Sequence, residues 1–105
     1  MRDILLVCSA GMSTSLLVTK MEIAAKQLGD QVRIRALPLN EARGVIEEVD
    51  IILLGPQVRF QKAIIDDLAA ARKNGPIPVA VIDMRQYGTM DGAGVYKVVK
   101  QLLGD

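Results

Sequence analysis

Two uninterrupted aliphatic runs, Ile4-Leu5-Leu6-Val7 and Ile51-Ile52-Leu53-Leu54, constrain this chain more than any other feature. A strand with one wet face alternates apolar and polar residues. An uninterrupted aliphatic run fits a strand covered on both faces, as in a parallel sheet sandwiched between helices, and the third strand is expected over 50–54, from Asp50 to Leu54, stopped by Gly55-Pro56. Val32, Ile34 and Ala36 instead alternate with Arg33 and Arg35, which predicts an edge strand with one wetter face, closed by Pro38 and Asn40. Residues 78–82 predict a fourth strand, with Pro78 tolerated at its start.

Helical patterns separate these runs. Leu17, Met21, Ala24 and Leu28 recur at spacings of four, three and four, the apolar stripe of a helix that starts near Ser13 or Thr14 and ends at Gly29. A short helix is expected over 41–48, weakened at Gly44 by up to about 1 kcal/mol relative to alanine. A helix over 60–72 would bury Ile64, Leu68 and Ala71. The polar, glycine-rich stretch 83–94 has room for one helical turn at 84–87. A last helix over 95–103 presents Val95, Val98, Val99 and Leu102.

Strands alternating with helices specify an α/β three-layer sandwich, an open four-stranded parallel sheet with right-handed crossovers and helices on both faces. A strand order of 2-1-3-4 would set the ends of strands one and three at the reversal point, where ligands bind in such sheets. The segments after Val7, after Leu54 and after Ile82 would then meet at one rim. The active site is expected there.

Composition removes several chemistries. A length of 105 residues, 50% hydrophobic and 24% charged, predicts one domain over 1–105 and excludes a disordered tail. A net charge of +1 is too balanced to steer the molecule onto nucleic acid or anionic lipid. There is no histidine, and Cys8 is the only cysteine. That excludes an intramolecular disulfide, a Cys/His zinc site and any Ser-His-Asp or Cys-His arrangement within the chain. No metal or organic cofactor is expected. No apolar stretch reaches the roughly 18–20 residues that cross a bilayer, and no targeting segment is visible. The expected location is cytoplasmic, where a free thiol stays reduced.

What remains is a thiol, hydroxyls, carboxylates and backbone amides. Cys8 follows a buried strand and precedes a helix, with Ser9, Ala10, Gly11, Met12, Ser13, Thr14 and Ser15 between and beyond. Amides of such a loop, and the free amides of the following helix start, favour a bound anion, and the same field favours a negatively charged sulfur. The hydroxyls of Ser9, Ser13, Thr14 and Ser15 can add hydrogen bonds. The geometry suits in-line attack by sulfur on a phosphoryl group. A lone intracellular cysteine is also commonly just a small buried hydrophobe, and Met12 fits either an anchor or an exposed contact. The loop is not a nucleotide P-loop, having one glycine and no lysine, and no Gly-x-Gly-x-x-Gly follows the first strand.

The stretch from Ile4 to Val18 resembles the start of the EIIB component of bacterial sugar phosphotransferase systems, lactose/cellobiose/chitobiose class. Ile52-Leu53-Leu54-Gly55-Pro56-Gln57 resembles the second loop of that family. Ile82-Asp83, Tyr87-Gly88, Asp91-Gly92 and Gly94 resemble its third. The resemblance covers nearly the whole chain. It implies a fold close to low-molecular-weight tyrosine phosphatase and a phosphocysteine at Cys8, held by the loop from Ser9 through Ser15. It further implies phosphate received from a histidine of a partner EIIA protein and passed to a sugar bound by the membrane EIIC component. A monomer is the simplest form for a shuttle that must visit two partners, and the chain itself is not expected to insert into the membrane.

The phosphatase alternative lacks its chemistry. Position six after Cys8 is Thr14 rather than an arginine that could grip phosphoryl oxygens bidentately, and neither Asp83 nor Asp91 precedes a proline. Other contributors carry weaker signals. Gly55, Pro56 and Gln57 fit a pocket wall or an ordinary strand-to-helix turn. Tyr87 fits a pocket cover, a partner contact or a tyrosine packed on the domain. Asp83 would shape its loop through backbone bonds, and Arg59 and Arg85 would attract an acidic partner or phosphate if they share the rim.

Overall fold

The computed structural model describes residues 1–9 and 13–105. Four parallel strands, β1 (Arg2–Val7), β2 (Val32–Leu37), β3 (Ile51–Leu54) and β4 (Val79–Val81), form one sheet in the order β2-β1-β3-β4. The expected order and the edge position of β2 are both observed. Every residue of β3, and Ile4 to Val7 of β1, is buried, as uninterrupted aliphatic runs require in a central strand.

Strand alternation sorts these side chains into two cores. Ile4, Leu6, Ile34, Ile51 and Leu53 pack against Leu17, Met21, Ala24 and Ala25 of α1 (Ser13–Gln27), and against Val95, Tyr96 and Val99 of α5 (Gly92–Leu103). On the other face, Leu5, Val7, Ile52 and Leu54 meet Ala42 of α2 (Leu39–Ala42), Ile46, Val49 and Val58, and Ile65 and Ala69 of α3 (Lys62–Ala70). The wetter face of β2 directs Arg33 and Arg35 to the carboxylate of Asp3, at 2.5 and 3.2 Å.

Four local expectations are corrected. The helix over 41–48 is only the single turn of α2. Beyond Gly44 the backbone makes isolated turns, the Val45 amide to the Ala42 carbonyl and the Glu48 amide to the Val45 carbonyl, and side-chain hydrogen bonds add to these in place of a helical ladder. The Arg72 guanidinium donates to the carbonyls of Ile46, Glu47 and Gly75, and the Glu47 carboxylate accepts from the amides of Lys73 and Asn74. A 3₁₀ stretch, Pro56–Gln61, kinked at Val58, precedes α3 and shifts the helical phase. Ile65 and Ala69 therefore face the core, while Ile64 and Ala71 are exposed. Leu28 is exposed because α1 ends one residue before it. Gly29 takes φ +75°, and the amides of Gly29 and Asp30 return to the carbonyls of Lys26 and Ala25. In α5, Tyr96 occupies the inward face and Leu102 is exposed.

Candidate functional site

Three loops leave the carboxyl ends of the strands, and the hydrogen-bond ladder carries one residue past each strand. The Cys8 amide donates to the Leu37 carbonyl (3.1 Å), the Gly55 amide to the Val7 carbonyl (2.9 Å), and the Ile82 amide to the Leu54 carbonyl (2.8 Å). Cys8 thus sits at the end of β1, between β2 and β3, where the strand order reverses. The residue is 6% exposed. Ser9 is exposed, and α1 begins at Ser13 with no acidic residue in its first turn to offset the field of its free amides. Ala10, Gly11 and Met12 lie outside the described residues. Thr14 is 2% exposed, whereas Ser15 is exposed and its carbonyl accepts the Thr19 hydroxyl.

The second loop places Gly55 and Pro56 in the interior and Gln57 at the surface. A Cβ at position 55 would collide with Oε1 of Gln57, so the glycine makes room for that amide. Arg59 donates to the Pro56 carbonyl at 2.7 Å, closing the 3₁₀ stretch. In the third loop, Asp83 caps α4 (Met84–Gly88): its carboxylate accepts the amides of Arg85 and Gln86, each at 3.1 Å. Asp83 is therefore used as a hydrogen-bond acceptor that shapes its loop. Arg85 is exposed.

The hydroxyl of Tyr87 joins all three loops. It accepts from Nε2 of Gln57 at 2.7 Å and shares a hydrogen bond with Oγ1 of Thr14 at 3.2 Å. Sequence reading picked out these three residues separately but not their meeting. Nothing local signals a contact between residues 73 and 30 positions apart in the chain.

A cleft of about 510 Å³ lies at the opposite end of the sheet, by Arg2, Asp30, Tyr96, Lys100 and Asp105. Two of its cations are paired, Arg2 with Asp105 and Lys100 with Asp30 at 2.6 Å, and the Tyr96 hydroxyl donates to Asp30. The candidate nucleophile, Cys8, lies instead at the rim. The hydrogen bond from Lys100, then that from Tyr96, holds Asp30 below its ordinary pKa of 3.8. Burial, then the bond to Asp30, pushes Tyr96 far above its ordinary 10.0. A carboxyl lowered by folding stabilises above its unfolded value and loses that contribution as pH falls. A phenol raised by folding stabilises below its unfolded value and loses it as pH rises. Urea midpoints should therefore drop below about pH 4 and above about pH 10. Asp30→Asn should flatten the acid limb and Tyr96→Phe the alkaline one. Limbs unchanged in the variants would refute these assignments.

Residues 3–98 match the family described as "PTS system, Lactose/Cellobiose specific IIB subunit". The chain is 41% identical over 103 residues to the oligo-beta-mannoside-specific EIIB component of Bacillus subtilis, covering 98% of this chain and 97% of that protein. It is 37% identical to the cellobiose-specific EIIB component of Lactococcus lactis, covering 95% and 94%. The galactose-specific EIIB component of the same species is also 37% identical. Among solved structures, the cellobiose-specific IIB component of Borrelia burgdorferi superposes with a TM-score of 0.78 at 36% identity, covering 98% of this chain and 92% of that one. The lactose-specific IIB domain of Streptococcus pneumoniae shares the fold with a TM-score of 0.83 at 16% identity, covering 96% of each chain.

Proposed function

The chain belongs to the lactose/cellobiose-specific IIB family of the sugar phosphotransferase system, and we propose that within it Cys8 is the residue that carries phosphate. The placement of Cys8 carries the reading: the thiol lies at the sheet's reversal point, five residues before the start of a 15-residue helix whose first turn holds no acid. Free amides at that helix start, with the loop from Ser9 to Ser15, would hold the three non-bridging phosphoryl oxygens.

Two transfers follow. The Cys8 thiolate attacks the phosphorus of a phosphohistidine on a partner EIIA protein; the S–P bond forms, the N–P bond breaks, and the imidazole leaves. A hydroxyl of a sugar held by the membrane EIIC component then attacks the same phosphorus. The O–P bond forms, the S–P bond breaks, and thiolate is regenerated, while the hydroxyl proton passes to a base of the partner or to water. The chain needs no histidine because its donor supplies one.

Two features favour a carrier over a hydrolase. The residue six positions after Cys8 is Thr14, hydrogen-bonded to Tyr87, so no guanidinium grips the phosphoryl oxygens at that position. Asp83 is engaged in capping α4 rather than poised as an acid. No helix among the described residues is long and apolar enough to cross a membrane. The reading takes the chain as a monomer at the cytoplasmic face that visits two partners. Similar relatives are named for different sugars, which fits a sugar chosen by EIIC.

Incubation with phosphorylated EIIA, followed by mass-spectrometric mapping under conditions that spare labile phosphate, should place the label on Cys8. Label elsewhere, or undiminished label in Cys8→Ala, would overturn the assignment.

A further inference from the structure

We propose that Tyr87 is a positioning residue for phosphoryl transfer, acting through Thr14 and Gln57 to fix the first turn of α1; the inference rests on the function proposed above. Thr14 is the second residue of α1, so its amide is one of the four without an acceptor inside the helix. The direction of that turn sets where those amides point. The Thr14 side chain is buried, and its hydroxyl meets that of Tyr87 at 3.2 Å.

Tyr87 is in turn held from several sides. Its amide donates to the Asp83 carbonyl at 2.9 Å, at the helical turn capped by the Asp83 carboxylate, and its ring packs against the core shared by α1 and α5. Gln57, folded over Gly55, donates to the same hydroxyl at 2.7 Å. The phenol oxygen therefore fastens the start of α1 to the loops after β3 and β4. Those loops are anchored to the sheet, so the turn is braced from outside the phosphate loop. Reacting groups displaced by about 1 Å lose on the order of a hundredfold in rate. Loosening this brace, with the ring retained, should lose about tenfold.

The experiment measures single-turnover transfer from phosphorylated EIIA to Cys8 over a range of donor concentrations. Tyr87→Phe should lower the maximal rate about tenfold and leave the concentration dependence within about twofold. The double variant Tyr87→Phe/Thr14→Val should be no slower than the slower single variant, because both remove one junction. Thr14→Ser, which keeps the hydroxyl, should retain most of the rate that Thr14→Val loses.

Tyr96→Phe is the control for simple loss of stability. It removes the hydroxyl that donates to Asp30 at 2.7 Å at the far end of the sheet, and should leave the maximal rate within about twofold of wild type. A wild-type rate in Tyr87→Phe, an effect confined to the donor concentration dependence, additive losses in the double variant, or an equal loss in Tyr96→Phe would each overturn the inference. Wild-type protein that takes no phosphate on Cys8 would instead remove the underlying function, and the inference with it. Labelled wild type with an unimpaired Tyr87→Phe removes only the role of Tyr87.

Discussion

Cys8→Ser is expected to abolish phosphoryl transfer while leaving the fold in place. Serine keeps an atom of similar reach at the end of β1, but its hydroxyl is far harder to ionise than a thiol, and nothing in the chain can act as an imidazole base beside it. Loss of an enzyme's nucleophile lowers turnover by as much as about 10⁶-fold, with residual rate owed to binding and oxyanion contacts. Here at least about 10⁴-fold is expected. The fold should hardly notice, because the Cys8 amide, which extends the ladder to Leu37, is untouched. Exchanging a nearly buried sulfur for a hydroxyl costs about 1 kcal/mol. Rapid-quench labelling with phosphorylated EIIA measures the first effect, and thermal unfolding the second. Labelling within tenfold of wild type, in protein that melts normally, would show that sulfur is not the carrier.

The sheet was legible in the sequence because its signals are local. Ile4 to Val7 and Ile51 to Leu54 need no partner to declare burial on both faces, and the arginines of β2 declare an edge. These local signals do not set the order of the strands in space; the order 2-1-3-4, expected for an open sheet of this kind, is the one that puts Cys8 at the reversal point. Helix phase was harder to read. Adjacent Ile64 and Ile65 satisfy two registers of an apolar stripe, and the 3₁₀ stretch before α3, which decides between them, depends on how the chain leaves β3. The failed helix over 41–48 has a similar cause. Its backbone is held by Arg72, whose approach belongs to the tertiary fold. In the candidate site the contiguous Cys8 loop stood out as a motif. The junction at Tyr87 did not, because it unites residues from three distant segments.

Gly92→Ala is expected to be among the most damaging single-methyl additions in the chain. Gly92 opens α5 where that helix meets the middle of α1. A Cβ there would collide with Cβ of Lys20 and lie 2.5 Å from its carbonyl carbon and 2.6 Å from the amide nitrogen of Met21. Two of these three atoms are backbone in the interior of a 15-residue helix, so no rotamer change relieves the contact. The helices must move apart, opening the core in which Met21 and Leu17 meet Val95 and Val99. Such overpacking costs about 1–3 kcal/mol, and the upper part of that range is expected where backbone meets backbone. Alanine's higher helix propensity returns at most about 1 kcal/mol. For a domain of this size, a net loss near 2 kcal/mol lowers the melting temperature by roughly 8–16 °C. Gly88→Ala tests the reasoning with the same atom added in open space. Nothing lies within 4 Å of a Cβ at position 88, so the change should be neutral or stabilising by up to about 1 kcal/mol. Melting temperatures for the two variants should therefore move apart. If Gly92→Ala melts at or above wild type, α1 and α5 do not approach as closely as the structure places them.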